Sequence, residues 1–499
     1  MNLFSPYIDV LKIAPQLTLV VFILFFVIGE LVFRRKIVFG WFSVAGYIIA
    51  LIFLLIGHLY QNRVLFSYQI VEDKFSFFFT IFFLLAGIVI SFFSFDSAEI
   101  KRDLGGEYFA LIMAAILGMI YMAGAVNFLM LYLSLEMVSL SSYLLSGYTR
   151  DDKYSAEAAL KYLVFGATAS GIMIMGIAYL YGLTGTLNFS VIRDQLVSGI
   201  FPSFTLLTIL FLIFAGFFFK MSLVPFHMWA PDVYEGAPTP VAAFLAVASK
   251  GAGFAIALRF LYTVMIQGSP LSGKLLSDIY HFIPVNNLDW PLFLGIISVL
   301  TMTVGNITAL NQTSVKRLLA YSSIAHAGYM LMGFAAMNYI GFYAVLFYLV
   351  VYFLMNIGAF LFVQVVYNKI GTDSIVKYRG LGRRTPFAAV MMAIFLFSLA
   401  GIPPLGGFIG KFYLFAAVLK SKLYWLAVIG IANSVLSLYY YARIAKMMFL
   451  EDSHEKEKVP VSAAHIFLFV ILGFPVVILG VYWSPVLEFV KIYSHLFLP

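Results

Sequence analysis

Five titratable side chains stand inside stretches otherwise apolar enough to cross a bilayer: Glu136 in LYLSLEMVSLSSYLL, Lys220 in FFFKMSLVPFHMW, Lys250 in AVASKGAGFAIAL, His326 in YSSIAHAGYML and Lys411 in GIPPLGGFIGKFYLF. A charge at the bilayer centre costs about 2.5 to 3.5 kcal/mol on insertion scales, so such a residue marks a pair, a wet cavity or an ion path. Glu136 lies about ten residues from either end of its stretch, too deep for a short carboxylate to snorkel. It must be protonated, paired or facing water, and Lys220 is the candidate partner. Lys250 sits among Ala and Gly, which let helices approach closely. Three central lysines, a carboxylate and a histidine whose ordinary pKa near 6.5 suits proton hand-over can pass protons from group to group. Two plainer readings stand beside this one: a buried pair that only fixes helix packing, and a histidine simply hydrogen-bonded to a hydroxyl.

Prolines flank two of these lysines. Pro225 lacks an amide hydrogen, so the Met221 carbonyl loses its partner and the helix is expected to break beside Lys220. Pro403 and Pro404, followed by Gly406, Gly407 and Gly410, do the same ahead of Lys411. Non-helical backbone at membrane depth is tolerated only where it is buried in protein or lines a wet cavity. Interrupted helices in corresponding halves of a transporter point to an inverted repeat and its ion site. LAVASKGAGFAIALRF at Leu245 faintly echoes LAVIGIANSVLSLYYYAR at Leu426. Glu30 and Glu157 lie near the ends of their stretches and read as snorkelling to the interface; Lys161 and Arg259 allow either snorkelling or an interior role.

The elements that must position these groups are membrane helices. Of 499 residues 63% are hydrophobic and 11% charged, which excludes an ordinary water-soluble domain. Stretches of the length that hydrocarbon thickness demands fall at 13–33, 38–57, 75–95, 107–124, 126–147, 156–183, 205–225, 239–263, 291–310, 317–336, 339–367, 386–419, 424–446 and 464–484. The expected fold is an all-α polytopic membrane protein of about fourteen helices. The longest hydrophilic segments, 264–290 and 447–463, read as loops, so residues 1–499 form one membrane domain. The first stretch is long enough to span and its basic cluster, Arg34 to Lys36, follows it, so it reads as a helix and not a cleavable signal.

Net charge is +8. Of the 31 Lys and Arg, 18 fall in the odd-numbered loops or at the stretch ends that border them (Arg317, Arg443 and Lys446) and 8 in the even loops and tails, with Lys161, Lys220, Lys250, Arg259 and Lys411 inside the stretches. The positive-inside rule then puts the odd loops in the cytoplasm and both termini outside, the periplasmic side of a bacterial inner membrane. The basic residues follow one membrane face and form no groove-shaped cluster, which argues against nucleic acid as a partner. The absence of cysteine removes thiolate-held iron–sulfur clusters and disulfides, and the 7 histidines show no metal-ligand spacing. Redox chemistry must fall to other chains.

FKMSLVPFHMWAPDVYEGAPTPVAAFLAVASKGAGF resembles the antiporter-like membrane subunits of respiratory complex I, the proton-pumping NADH:quinone oxidoreductase, and DVYEGAPTP is most similar to their N-type members. The likeness covers nearly the whole chain. It implies three leading helices (1–95), two inverted five-helix repeats of helices 4–8 (107–263) and 9–13 (291–446) with helices 7 and 12 interrupted, and a last helix (464–484). It further implies that Glu136, Lys220, Lys250 and Lys411 are the family's helix 5, 7, 8 and 12 proton-path residues, with His326 at the helix 10 position. A lysine at 411, where M-type subunits carry glutamate, and the absence of the long lateral helix of L-type subunits argue against those two branches. NAD, FMN, iron–sulfur clusters and quinone belong to other subunits, and the implied partners are neighbouring antiporter-like and small membrane subunits and the lipid bilayer. Three alternatives share the lysines: an Mrp-type cation/proton antiporter subunit, a membrane-bound hydrogenase or F420-type complex subunit, and a scaffold with vestigial charges.

Overall fold

Hydrocarbon offers the backbone no water to bond, so long apolar runs satisfy themselves as helices. The computed structural model describes residues 13–31, 35–57, 63–100, 105–199, 201–265, 289–453, 457–494 and 496. Its helices are α1 (Ala14–Gly29), α2 (Lys36–Gly57), α3 (Lys74–Phe95), α4 (Gly105–Gly124), α5 (Phe128–Ser146), α6 (Lys153–Thr184), α7 (Phe189–Ser198), α8 (Ser203–Met221), α9 (Trp229–Gly236) and α10 (Thr239–Val264). After them come α11 (Trp290–Leu310), α12 (Val315–Ala335), α13 (Tyr339–Ile370), α14 (Pro386–Ala400), α15 (Gly406–Lys420), α16 (Tyr424–Leu450), α17 (Ala463–Val481) and α18 (Ser484–Tyr493). Among the described residues 11 helices are long and apolar enough to cross a membrane, with α1 and α14 as shorter apolar helices. Every predicted stretch falls on one of these helices or on an interrupted pair. Most of the loop expected at 264–290, residues 266–288, and Arg34 of the basic cluster lie outside the described residues.

The all-helical expectation misses one element. Strands β1 (Arg63–Leu65) and β2 (Ile70–Glu72) pair antiparallel, with Val64 opposite Val71. They are joined through Phe66, Ser67 and Tyr68, all at positive φ. Three residues per strand are too few to print an alternation on the sequence.

Both predicted breaks are present. Helix α8 ends at Met221, Ser222 turns left-handed at φ 57°, and α9 begins at Trp229. Helix α14 ends at Ala400, Gly401 takes φ +88°, and α15 begins at Gly406. A third irregularity is new: residues Leu245–Ser249 of α10 form a π-turn that ends directly before Lys250. Such turns occur mostly as single insertions in helices, frequently at functional sites.

Buried apolar side chains of α3 to α17 belong to one continuous core, while α2, α6 and α16 turn long apolar rows outward, as lipid-facing helices do. The most extensive helix contact is between α11 and α12. A Cβ added at Gly305 would meet the Ala325 nitrogen at 2.6 Å, and one at Gly328 would meet Met302 Cγ at the same distance. Those glycines bring the His326 helix against its neighbour, the small-residue packing that membranes favour.

Candidate functional site

Lys220, Lys250, His326 and Lys411 are all buried, 1 to 3% exposed. What separates the three lysines from other buried cations is what their ammonium groups touch. Lys220 Nζ donates to Ser139 Oγ at 3.3 Å, across from α8 to α5. Lys250 Nζ donates to the Ser323 carbonyl at 2.7 Å and also to its hydroxyl, on α12. Lys411 Nζ donates to the Ala400 carbonyl and Ser434 Oγ, both at 2.9 Å, and lies 4.6 Å from the centroid of the Tyr329 ring. No carboxylate bonds any of the three among the described residues.

Glu136 was expected to pair with Lys220. It stands one turn from Ser139 on α5 and exerts a Coulomb interaction on Lys220, but no direct ion pair forms. Its Oε1 is buried without a hydrogen-bond partner. Serine interposes because Ser139 follows Glu136 by three residues on a helix and so shares its face.

His326 is bonded on both sides. Its Nδ1 is 2.7 Å from the Tyr348 hydroxyl and its Nε2 is 3.1 Å from that of Tyr441, which also bonds Ser322. A neutral ring accepts at one nitrogen and donates at the other, so one tyrosine hydroxyl serves as donor to the ring and the other as acceptor. It feels the charges of both Lys250 and Lys411. Beyond Lys411, Tyr329 joins a polar knot in which Asn306 Nδ2 reaches the Tyr329 hydroxyl at 3.3 Å and Asn433 Oδ1 at 3.1 Å, while the Tyr440 hydroxyl donates to Asn306 Oδ1 at 2.9 Å.

The residues left open in the sequence do different work. Arg259 does not snorkel: it is 0% exposed and forks onto Asp73, with contacts of 2.9 and 2.8 Å, while its Nε donates to the Ala123 carbonyl at 2.7 Å. Asp73 also caps α3, accepting the Ser76 amide at 2.8 Å. Lys161 meets Glu157 at 2.6 Å and Asp232 at 2.5 Å. Glu30, at the end of α1, has its Oε2 accepting the Glu107 amide at 2.8 Å in the first turn of α4, where the helix dipole favours an anion.

Sequence reasoning also missed two links between the halves. Asp232 and Glu235, from the DVYEGAPTP stretch, both meet Arg317 of α12 at 2.7 Å. Glu99 meets Lys316 at 2.7 Å and accepts the Thr239 amide at the same distance. The signature wording is thus partly a clamp across the molecule. Among the described residues no group of three or more His, Cys, Asp or Glu could hold a metal.

Comparison with known proteins follows the same lines. Residues 125–437 match the family described as NADH:quinone oxidoreductase/Mrp antiporter, TM. NADH-quinone oxidoreductase subunit N of Anaeromyxobacter sp. (strain Fw109-5) is 40% identical over 453 residues, 87% of this chain and 86% of that protein. A chain of respiratory complex I from Thermus thermophilus is similar with TM-score 0.77 and 30% identity, over 95% of this chain and 98% of that one. A chain of the Mrp complex from Dietzia sp. DQ12-45-1b has TM-score 0.78 at 20% identity, over 97% of each, a likeness of fold alone.

Proposed function

The chain belongs to the subunit N family of proton-pumping NADH:quinone oxidoreductase, and from that membership we propose that Glu136, Lys220, Lys250, His326 and Lys411 carry protons across the membrane through it. It is a multi-pass membrane protein working as a subunit of that oxidoreductase, beside neighbouring antiporter-like and small membrane subunits. NADH, FMN, iron–sulfur clusters and quinone are the business of other subunits. Residues 107–263 and 291–446 act as two inverted repeats around the breaks at Ser222 and Gly401. The odd-numbered loops face the cytoplasm, so an Arg379→Cys variant should resist labelling from outside intact cells; labelling there would reverse the orientation.

The observation that carries the proton path is that, among the described residues, Lys220, Lys250 and Lys411 hydrogen-bond only to serine hydroxyls and carbonyls. A contacting carboxylate would hold each ammonium in its charged state, whereas neutral oxygens stabilise it weakly enough for its proton to leave. Glu136 is the adjustable element. With its carboxylate swung onto Lys220 the ammonium is retained; with Lys220 on Ser139, as here, the proton is free to pass. The proton then moves to Lys250, on to His326, whose two tyrosine contacts let it take one proton while releasing another, and finally to Lys411. Groups this close titrate as a set.

The Mrp-type alternative shares the fold, but 40% identity over 87% of the chain to a subunit N supports the oxidoreductase reading over it. The test is Lys250→Ala in the assembled complex, measured as NADH-driven quinone reduction and proton pumping in membrane vesicles. Both should fall together about a hundred-fold or more, the low end of what a positioned proton-transfer group typically contributes. Lys250→Arg should rescue poorly because a guanidinium does not give up its proton. Wild-type rates in Lys250→Ala would reject the path.

A further inference from the structure

Between Lys220 and His326 the five groups above do not touch, and the space between them is crossed by tyrosines. The hydroxyls of Tyr162, Tyr234 and Tyr352 are all buried, and each has a serine near it without closing to a full hydrogen bond, though a buried hydroxyl left unpaired is costly. These three lie on α6, α9 and α13, so both halves of the molecule contribute.

Their placement is orderly. The ring of Tyr162 stacks on Trp229, with centroids 4.3 Å apart, and sits edge-on to Tyr143 at 4.8 Å, one turn along α5 from the serine that binds Lys220. Its hydroxyl faces Ser249, the residue before Lys250, and interacts electrostatically with Tyr143 and Tyr234. Tyr234 is held between Trp229 and Phe360, at 6.0 and 6.3 Å, and its hydroxyl faces Ser222, at the break that follows Lys220, and Ser323, the partner of Lys250. Tyr352 faces Ser323 from the other side and places its ring 5.3 Å from His326. Asn356, one turn along α13, also has both side-chain polar atoms buried and unbonded. Fixed rings with free hydroxyls are what a relay requires: the aromatic body is locked by packing, and the O–H can rotate to accept on one side and donate on the other.

We propose that Tyr162, Tyr234 and Tyr352 form a hydroxyl relay, completed by bound water, that carries protons between Lys220, Lys250 and His326. The inference rests on the proton-path reading above and adds its connecting residues. In one passage a Lys220 N–H bond breaks, each hydroxyl or water on the way accepts one proton on an oxygen lone pair and releases its own, and the last proton forms an N–H bond on the neutral Lys250 amine. Lys220 ends as an amine, Lys250 as an ammonium, and each tyrosine ends in the protonation state in which it began, its O–H reoriented. Onward transfer past Tyr352 reaches His326 through Tyr348 or Tyr441, whose hydroxyls hold its two nitrogens: one nitrogen gains a proton from its tyrosine while the other releases one to the other tyrosine.

Tyr234→Phe is the test, since it keeps the ring between Trp229 and Phe360 and removes only the hydroxyl. In vesicles carrying the assembled complex, quinone reduction and pumping should fall together at least about ten-fold, and the solvent deuterium isotope effect should rise as proton transfer comes to limit turnover. Tyr352→Phe should behave alike, and carries the same test should the first variant fail to assemble. Wild-type rates and isotope effect in the phenylalanine variants, with Lys250→Ala still slow, would overturn the relay and leave the path standing. A slower complex with an unchanged isotope effect would assign these tyrosines to packing and overturn the relay as well.

Discussion

Buried and half-buried cations near the ends of the bundle and buried cations along its middle keep different company. Arg259 forks onto Asp73, Lys316 meets Glu99, and Arg317 meets Asp232 and Glu235. Lys220, Lys250 and Lys411 meet serines and carbonyls instead. The first arrangement locks charge in place, because separating a buried pair leaves an ion unpaired in a low dielectric. The second leaves charge transferable. On the proposed proton path the same residue type is a fastener in one region and a carrier in the other, and the partner decides which.

The comparison breaks most visibly at Arg259. Arg259→Ala would take both guanidinium contacts from Asp73, 0% exposed at its side chain, at a cost of about 3 to 5 kcal/mol. The variant chain should hardly accumulate in membranes, as quantified by immunoblot. A smaller loss is expected for Lys316→Ala, about 1 to 3 kcal/mol, because Glu99 keeps the Thr239 amide as a donor; thermal unfolding of the detergent-solubilised complex measures it. Lys411→Ala should be milder still in stability while removing activity. No anion is stranded by it, and Ser434 Oγ already donates to the Ala400 carbonyl at 3.1 Å. At the bottom of the scale, Arg383→Ala removes an ion pair with Asp452 in which both side chains are 84% exposed, and the unfolding temperature should not move, since exposed pairs contribute little. Should Lys411→Ala unfold the protein as Arg259→Ala does, the distinction between fasteners and carriers is lost.

The proposed carriers were legible in the sequence as buried charges, and most of the fasteners were not. A lysine or glutamate deep in an apolar run is conspicuous because its insertion cost is, and a proline within such a run announces the break at Met221 or Ala400 by its missing amide. Asp73, by contrast, lies at the start of α3, where an acidic residue reads as a helix cap. Its second role with Arg259 comes from a residue 186 positions away. Nor do the tyrosines around His326 announce themselves: the chain has 31, and in a membrane helix an aromatic at any position reads equally well as packing or as an interfacial anchor. Only the register of α12 against α13 and α16 brings Tyr348 and Tyr441 to the two nitrogens of one ring. The π-turn before Lys250 left no mark either, because its residues, LAVAS, are ordinary helix formers.

Lys220 tests the central claim most directly, since it is the lysine closest in design to a fastener, with Glu136 within Coulomb reach and only Ser139 in contact. Lys220→Ala should leave the complex assembled, because the stranded carboxyl of Glu136 can protonate instead of remaining a buried charge. The measurement is proton pumping together with NADH-driven quinone reduction in vesicles containing normal amounts of the variant complex. The account predicts that both fall in parallel and that Lys220→Arg does not restore them. Wild-type rates of both in Lys220→Ala would make this lysine a packing element and contradict the proton path argued from it.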